Sequence, residues 1–152
     1  MRDFPAYPGP MAYWPKVEAV SGIETALQQL QKYFICCLAS NAADSDAELM
    51  GLALSRVNLR QYFQYLFTSR ELEYKKPDPA FYREILRRMK LEPKQYIAVG
   101  NDYEKDIVPA NSVGMYTIWF RPHSHFTPIP YADYSIDSME KLVSVINKLT
   151  RS

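Results

Sequence analysis

The feature that most limits what this chain can fold into is an alternation. Short apolar runs of strand length are separated by stretches whose apolar residues recur at helical spacing. Tyr33 to Ala39 and Tyr96 to Val99 are continuous apolar runs, the pattern of parallel strands covered on both faces. Tyr65 to Thr68, Met115 to Phe120 and Tyr134 to Ile136 are further strand-length segments, the second of them rich in strand formers. Between these runs, Ile23, Ala26, Leu27 and Leu30 mark a helix from Ile23 to Lys32. Ser45 and Glu48 form a capping-box pattern that opens a helix toward Arg56, and Leu59 to Phe63 reads as a short second one. Asp78 and Pro79 start a helix reaching Lys90, with Phe81, Ile85, Leu86 and Met89 as its apolar stripe. Further helices are expected from Asp106 to Ser112 and from Ser138 to Leu149. Strand and helix alternating in this way predict an α/β fold, a parallel sheet with helices on both faces.

A chain of 152 residues suffices for one domain without disulfides or a structural metal. Its formal net charge of +1 recruits neither nucleic acid nor a membrane. No apolar run is long enough to span a bilayer and the first residues lack a signal layout, so the expected location is cytoplasmic. Cys36 and Cys37 are adjacent inside an apolar run, cannot pair with each other, and read as small buried hydrophobes. Pro5, Pro8, Pro10 and Pro15 make the start of the chain an irregular leader. The expected organisation is therefore a proline-rich leader over residues 1–20 and an α/β core over 21–152.

In such sheets ligands bind beyond the carboxyl ends of the strands, and the residues there form three clusters. Ser40 and Asn41 follow the first strand, where a hydroxyl and backbone N–H groups can meet phosphate oxygens; by themselves they are also an ordinary turn. Lys76 precedes Pro77, which holds it extended before a helix start; a lysine so placed presents one ammonium, or is simply solvated. Asp78 is read as a cap. In Gly100-Asn101-Asp102-Tyr103-Glu104-Lys105-Asp106, Pro109 confines the helix start to about Asp106 and leaves Asp102 in the loop. Carboxylates on a loop and at a helix start suit Mg²⁺, although Asp106 alone could equally be an N-cap. His123 and His125 have no third ligand nearby in sequence and are not read as a zinc site. Arg83, Arg87, Arg88 and Lys90 are read as a solvated helix face.

In this order and spacing the clusters resemble the haloacid dehalogenase (HAD)-like hydrolase superfamily. Leu38-Ala39-Ser40-Asn41 is similar to its second motif, Lys76-Pro77-Asp78-Pro79 with Phe81 to its third, and Val99 to Ile107 to its fourth. The resemblance spans about Gly22 to Leu149. It implies a Rossmann-like core and Mg²⁺-dependent hydrolysis of a small phosphorylated molecule. Ser40 and Asn41 would bind the phosphate, and Lys76 would neutralise charge on it as the catalytic cation. Asp102 or Asp106 would anchor Mg²⁺, with Asn101 standing where many relatives carry the first acid of the motif.

The departure is at the start. Relatives open with an apolar strand ending in Asp-x-Asp, which supplies the nucleophile and the general acid and base. No strand of that kind is present here, and Asp3 does not follow one. The resemblance places that strand mid-sheet, between the strands ending at Ser40 and Gly100. The core is therefore expected to be N-terminally incomplete, with residues 1–20 a remnant of the cap region. Its remaining carboxylates should hold Mg²⁺ weakly, and its sheet edges should be open to pairing in a homodimer. Two functions follow: a phosphatase inactive or incomplete as this chain, or a non-catalytic phosphate-binding or interaction module.

Overall fold

The computed structural model describes residues 19–41, 45–122 and 130–151. They form two compact units, one ending at Glu73 and the other beginning at Tyr74.

In the first unit, helix α1 (Ile23–Leu30) begins after Gly22, whose φ of 86° is a left-handed conformation that glycine adopts without a Cβ penalty. The backbone N–H groups of Tyr33 and Phe34 bond back to the Leu30 carbonyl and finish the helix, so the apolar run that follows starts late. Strand β1 is Cys37–Ser40 rather than the whole stretch from Tyr33, and the Tyr33 and Ile35 side chains are exposed. Strand β2 (Tyr65–Thr68) lies parallel to β1 with Ser40 opposite Thr68. Between them come α2 (Ala47–Ser55) and a single tight turn at Arg60–Tyr62.

The cap of α2 is Asp46, not Ser45: its Oδ1 accepts from the Leu49 N–H at 2.9 Å, while Ser45 is buried. A carboxylate outcompetes the hydroxyl because it also meets the positive end of the helix dipole. Leu27, Leu54, Leu59 and Tyr62 make the buried core of this unit, with Leu38 and Leu66 packed against it. Cys36 and Cys37 are only half-buried, yet burial still raises both thiols, Cys37 to about 11 with Cys36 adding to it. A short helix α3 (Ser69–Leu72), not expected from the sequence, follows β2 directly.

In the second unit, α4 (Pro79–Met89) starts where expected, with Asp78 Oδ1 accepting from the Ala80 N–H at 2.9 Å. Its Phe81, Ile85 and Leu86 are buried and its arginines face outward. Strands β3 (Ile97–Gly100), β4 (Tyr116–Phe120) and β5 (Tyr134–Ile136) form a parallel sheet in that order, so β3 and β5 are its edges. Helix α5 (Val108–Ser112) joins β3 to β4, and α6 (Leu142–Thr150) closes the chain after a turn capped by Ser138. Every strand pairing among the described residues is parallel, and helices lie between β1 and β2, between β2 and β3 and between β3 and β4, the α/β class expected from the alternation. No helix is long and apolar enough to cross a membrane among the described residues.

Candidate active site

The second unit brings three of the expected residues into one network. Strand β3 ends at Gly100, where a Cβ would run into the Asp106 carboxylate; glycine lets that side chain lie against the strand end. The helical turn begins earlier than Asp106. Asp102 is its cap, accepting from the Lys105 N–H at 3.1 Å, and a wide π-type turn runs over Tyr103–Ile107 into α5. Pro109 is compatible with this because it falls in the first turn of α5. Asp106 is consequently no N-cap: its Oδ2 accepts from the Asp102 N–H at 3.1 Å and its Oδ1 faces Lys76 Nζ at 2.6 Å. The Lys76 and Asp106 side chains are 12% and 13% exposed, so this is a largely desolvated ion pair. The lysine is not the solvated residue that an isolated Lys-Pro suggests. The Lys76–Pro77 peptide is cis, and the ammonium also lies 5.8 Å from the centre of the Phe81 ring.

Two side chains unforeseen in the sequence fix the carboxylate loop. Tyr82, buried on α4, donates from its hydroxyl to the carbonyls of Lys105 and Asp106 at 3.2 and 3.3 Å. Burial, helped by the charge of Asp106, pushes its phenol far up, so it stays a donor. Trp119 Nε1 donates to the Asn101 carbonyl at 3.0 Å. Both are aromatic residues in apolar surroundings, and only the fold shows that their polar tips reach one loop.

In the first unit Ser40 and Asn41 stand at the carboxyl end of β1, both half-buried. The neighbouring strand ends in Thr68, fully buried, whose hydroxyl bonds the Glu71 carboxylate. Glu71 Oε1 also accepts from the Ala47 N–H at 2.7 Å, tying α3 to the start of α2. The rule that led to Ser40 would have found Thr68 as well, since both end parallel strands.

Asp3, His123 and His125 lie outside the described residues. Among the described residues no three His, Cys, Asp or Glu side chains gather into a metal cluster. The exposed pair Asn101 and Asp102 offers an amide and a carboxylate oxygen. That donor set fits Mg²⁺, which is often held by one or two protein oxygens with phosphate and water completing its shell.

The Lys76–Asp106 pair stands at the end of β3, and the family of the chain follows from its sequence. The family model of haloacid dehalogenase-like hydrolases matches residues 9–120. The chain belongs to that family. The glyceraldehyde 3-phosphate phosphatase of Methanocaldococcus jannaschii is 31% identical over 100 residues, 64% of this chain and 44% of that protein. The ribulose-1,5-bisphosphate 5-phosphatase of Halopiger xanaduensis is 26% identical over 145 residues, 90% of this chain and 60% of that protein. The chain thus spans about half the length of these curated relatives. The crystal structure of an uncharacterized protein from Listeria monocytogenes serotype 4b shares the fold. Its TM-score is 0.82 at 22% identity, with 95% of this chain and 88% of that one covered.

Proposed function

We propose that this chain is the phosphate- and metal-binding part of a HAD-like phosphatase for small phosphorylated molecules, and that as it stands it binds without turning over. The observation that carries the reading is the desolvated Lys76–Asp106 pair at 2.6 Å beneath the exposed Asp102. A carboxylate that grips the lysine from behind orients its ammonium for an anion, and the same carboxylate is held in place by the Asp102 N–H. Of the acidic residues here, Asp106 is thereby occupied, which leaves Asp102, with Asn101, to hold Mg²⁺. When bound, the cation would neutralise charge on the phosphate. Ser40 and Asn41 are assigned phosphate contacts on their motif alone. The names of the relatives, phosphatases of small sugar phosphates, support the substrate class.

Turnover is withheld because no strand among the described residues ends in Asp-x-Asp, and without a nucleophile the covalent phosphoryl intermediate cannot form. The edge of β3 that pairs with no other described strand is assigned to pairing with a second copy, as a homodimer. Calorimetric titration with inorganic phosphate in Mg²⁺ tests the reading. Binding is expected, weakened about tenfold or more by Lys76→Met through loss of a charge-assisted contact, and weakened by EDTA or Asp102→Asn. Magnesium-dependent release of nitrophenol from an aryl phosphate, lost in Lys76→Met, would instead show that this chain is catalytic.

A further inference from the structure

Beside the Asn101–Asp102 loop lies an aromatic ledge that the phosphate site does not use. Trp119, pinned to the Asn101 carbonyl, has the Tyr103 ring 4.8 Å away and the Arg121 guanidinium 4.2 Å over its face. Tyr131 extends the cluster, its ring 6.4 Å from that of Tyr103 and tilted 42° to it, and is 47% exposed. Its backbone is not loose. The fully buried Thr117 donates from its hydroxyl to the Tyr131 carbonyl at 2.7 Å, and the Thr117 N–H donates to Asp133 Oδ2 at 2.8 Å. An exposed Tyr131 on an anchored backbone, with the half-buried Tyr103 and Trp119 beside it and contiguous with a loop that would hold a cation, is a preorganised surface for a flat ligand.

We propose that Tyr131 and Tyr103, backed by Trp119 and Arg121, stack the planar ring of the phosphate ester, so that the ligand is a nucleoside monophosphate rather than a simple sugar phosphate. This rests on the phosphate site proposed above and names the group attached to that phosphate. The phosphoryl end sits by Lys76 and Asp102, and the base stacks on the exposed face of Tyr131 with the tilted Tyr103 ring at its edge, where stacking tolerates any base because every base has a π-face.

Calorimetry on the whole chain in Mg²⁺, with adenosine monophosphate, ribose 5-phosphate, inorganic phosphate and adenosine as probes, tests it. Adenosine monophosphate is expected to bind roughly fivefold to a hundredfold tighter than ribose 5-phosphate, the worth of one base on an aromatic ring. Tyr131→Ala should remove most of that advantage while ribose 5-phosphate binding changes little, and Tyr131→Phe should keep it. Tyr103→Leu serves if Tyr131→Ala does not fold. Equal affinity for the two esters, or an advantage untouched by these variants, overturns the proposal. If no phosphate compound binds, inorganic phosphate included, the phosphate site has failed separately. Adenosine then decides: binding lost in Tyr131→Ala upholds the ledge, and absent or unaffected binding overturns it.

Discussion

Lys76 and Asp106 show how much of a site can hide from single-residue reading. Thirty positions apart, each has an ordinary explanation in the sequence, a solvated lysine and a helix cap, and the fold discards both by closing them to 2.6 Å. Lys76→Met leaves a carboxylate that is 13% exposed with the Asp102 N–H as its remaining neighbour, and should destabilise the chain by roughly 1–3 kcal/mol. Adding Asp106→Asn should recover part of the loss, so urea denaturation of the two single variants and the double variant should be non-additive by about 1 kcal/mol. Additive losses would mean that the pair is a contact without coupling. Gly100 was legible only as the end of a strand. What demands glycine is a side chain six residues later, and Gly100→Ala should cost about 1–3 kcal/mol by driving Asp106 off its place. The thiols follow the same logic of surroundings. With Cys37 raised to about 11 by burial and by Cys36, alkylation at pH 8 should be far slower in the folded chain than in urea.

At the scale of elements, existence and order were legible and ends were not. Apolar runs announce strands, but a run cannot say where a preceding helix lets go: the amides of Tyr33 and Phe34 are taken by α1, which shortens β1 from its start. The π-type turn at Tyr103–Ile107 was invisible because it depends on Asp102 and Tyr82 gripping backbone groups, not on propensity. Caps were half-read. Asp78 was placed correctly, and Asp78→Ala should cost about 1 kcal/mol of thermal or urea stability, with Asp78→Ser recovering most of it. On the exposed side of the same helix, Arg87 and Arg88 donate to Glu84 and hold its carboxyl down at about 2. A lowered acid stabilises the fold fully above its unfolded value of 4.5 and loses that contribution as pH falls toward 2. The melting-temperature gap between the native chain and Glu84→Gln should therefore be constant at neutral pH, shrink below about 4.5 and close near 2; a gap independent of pH would sink this assignment.

For the whole molecule, the informative mismatch is between how apolar the strands are and how deeply they lie. The runs containing β1 and β3 have the composition of strands covered on both faces, yet every residue of β1 is half-buried and Val99 of β3 is 38% exposed. A continuous apolar strand at the edge of a parallel sheet is a surface that proteins ordinarily cover or blunt with charge. Strand β3 carries no charged residue from Ile97 to Gly100, and it pairs with β4 alone among the described strands. The sequence thus encodes more cover than the described residues supply, and a second copy laid along β3 is one way to provide it. Sedimentation over a hundredfold range of concentration should then show association. Val99→Lys, a charge of the kind that edge strands use against pairing, should shift the protein toward monomer without lowering its urea midpoint by more than about 1 kcal/mol equivalent. A monomer at every concentration would leave the apolar edge unexplained by self-pairing and would remove the homodimer from the proposed function, while the Lys76–Asp106 site, which lies wholly within the second unit, would stand or fall on phosphate binding alone.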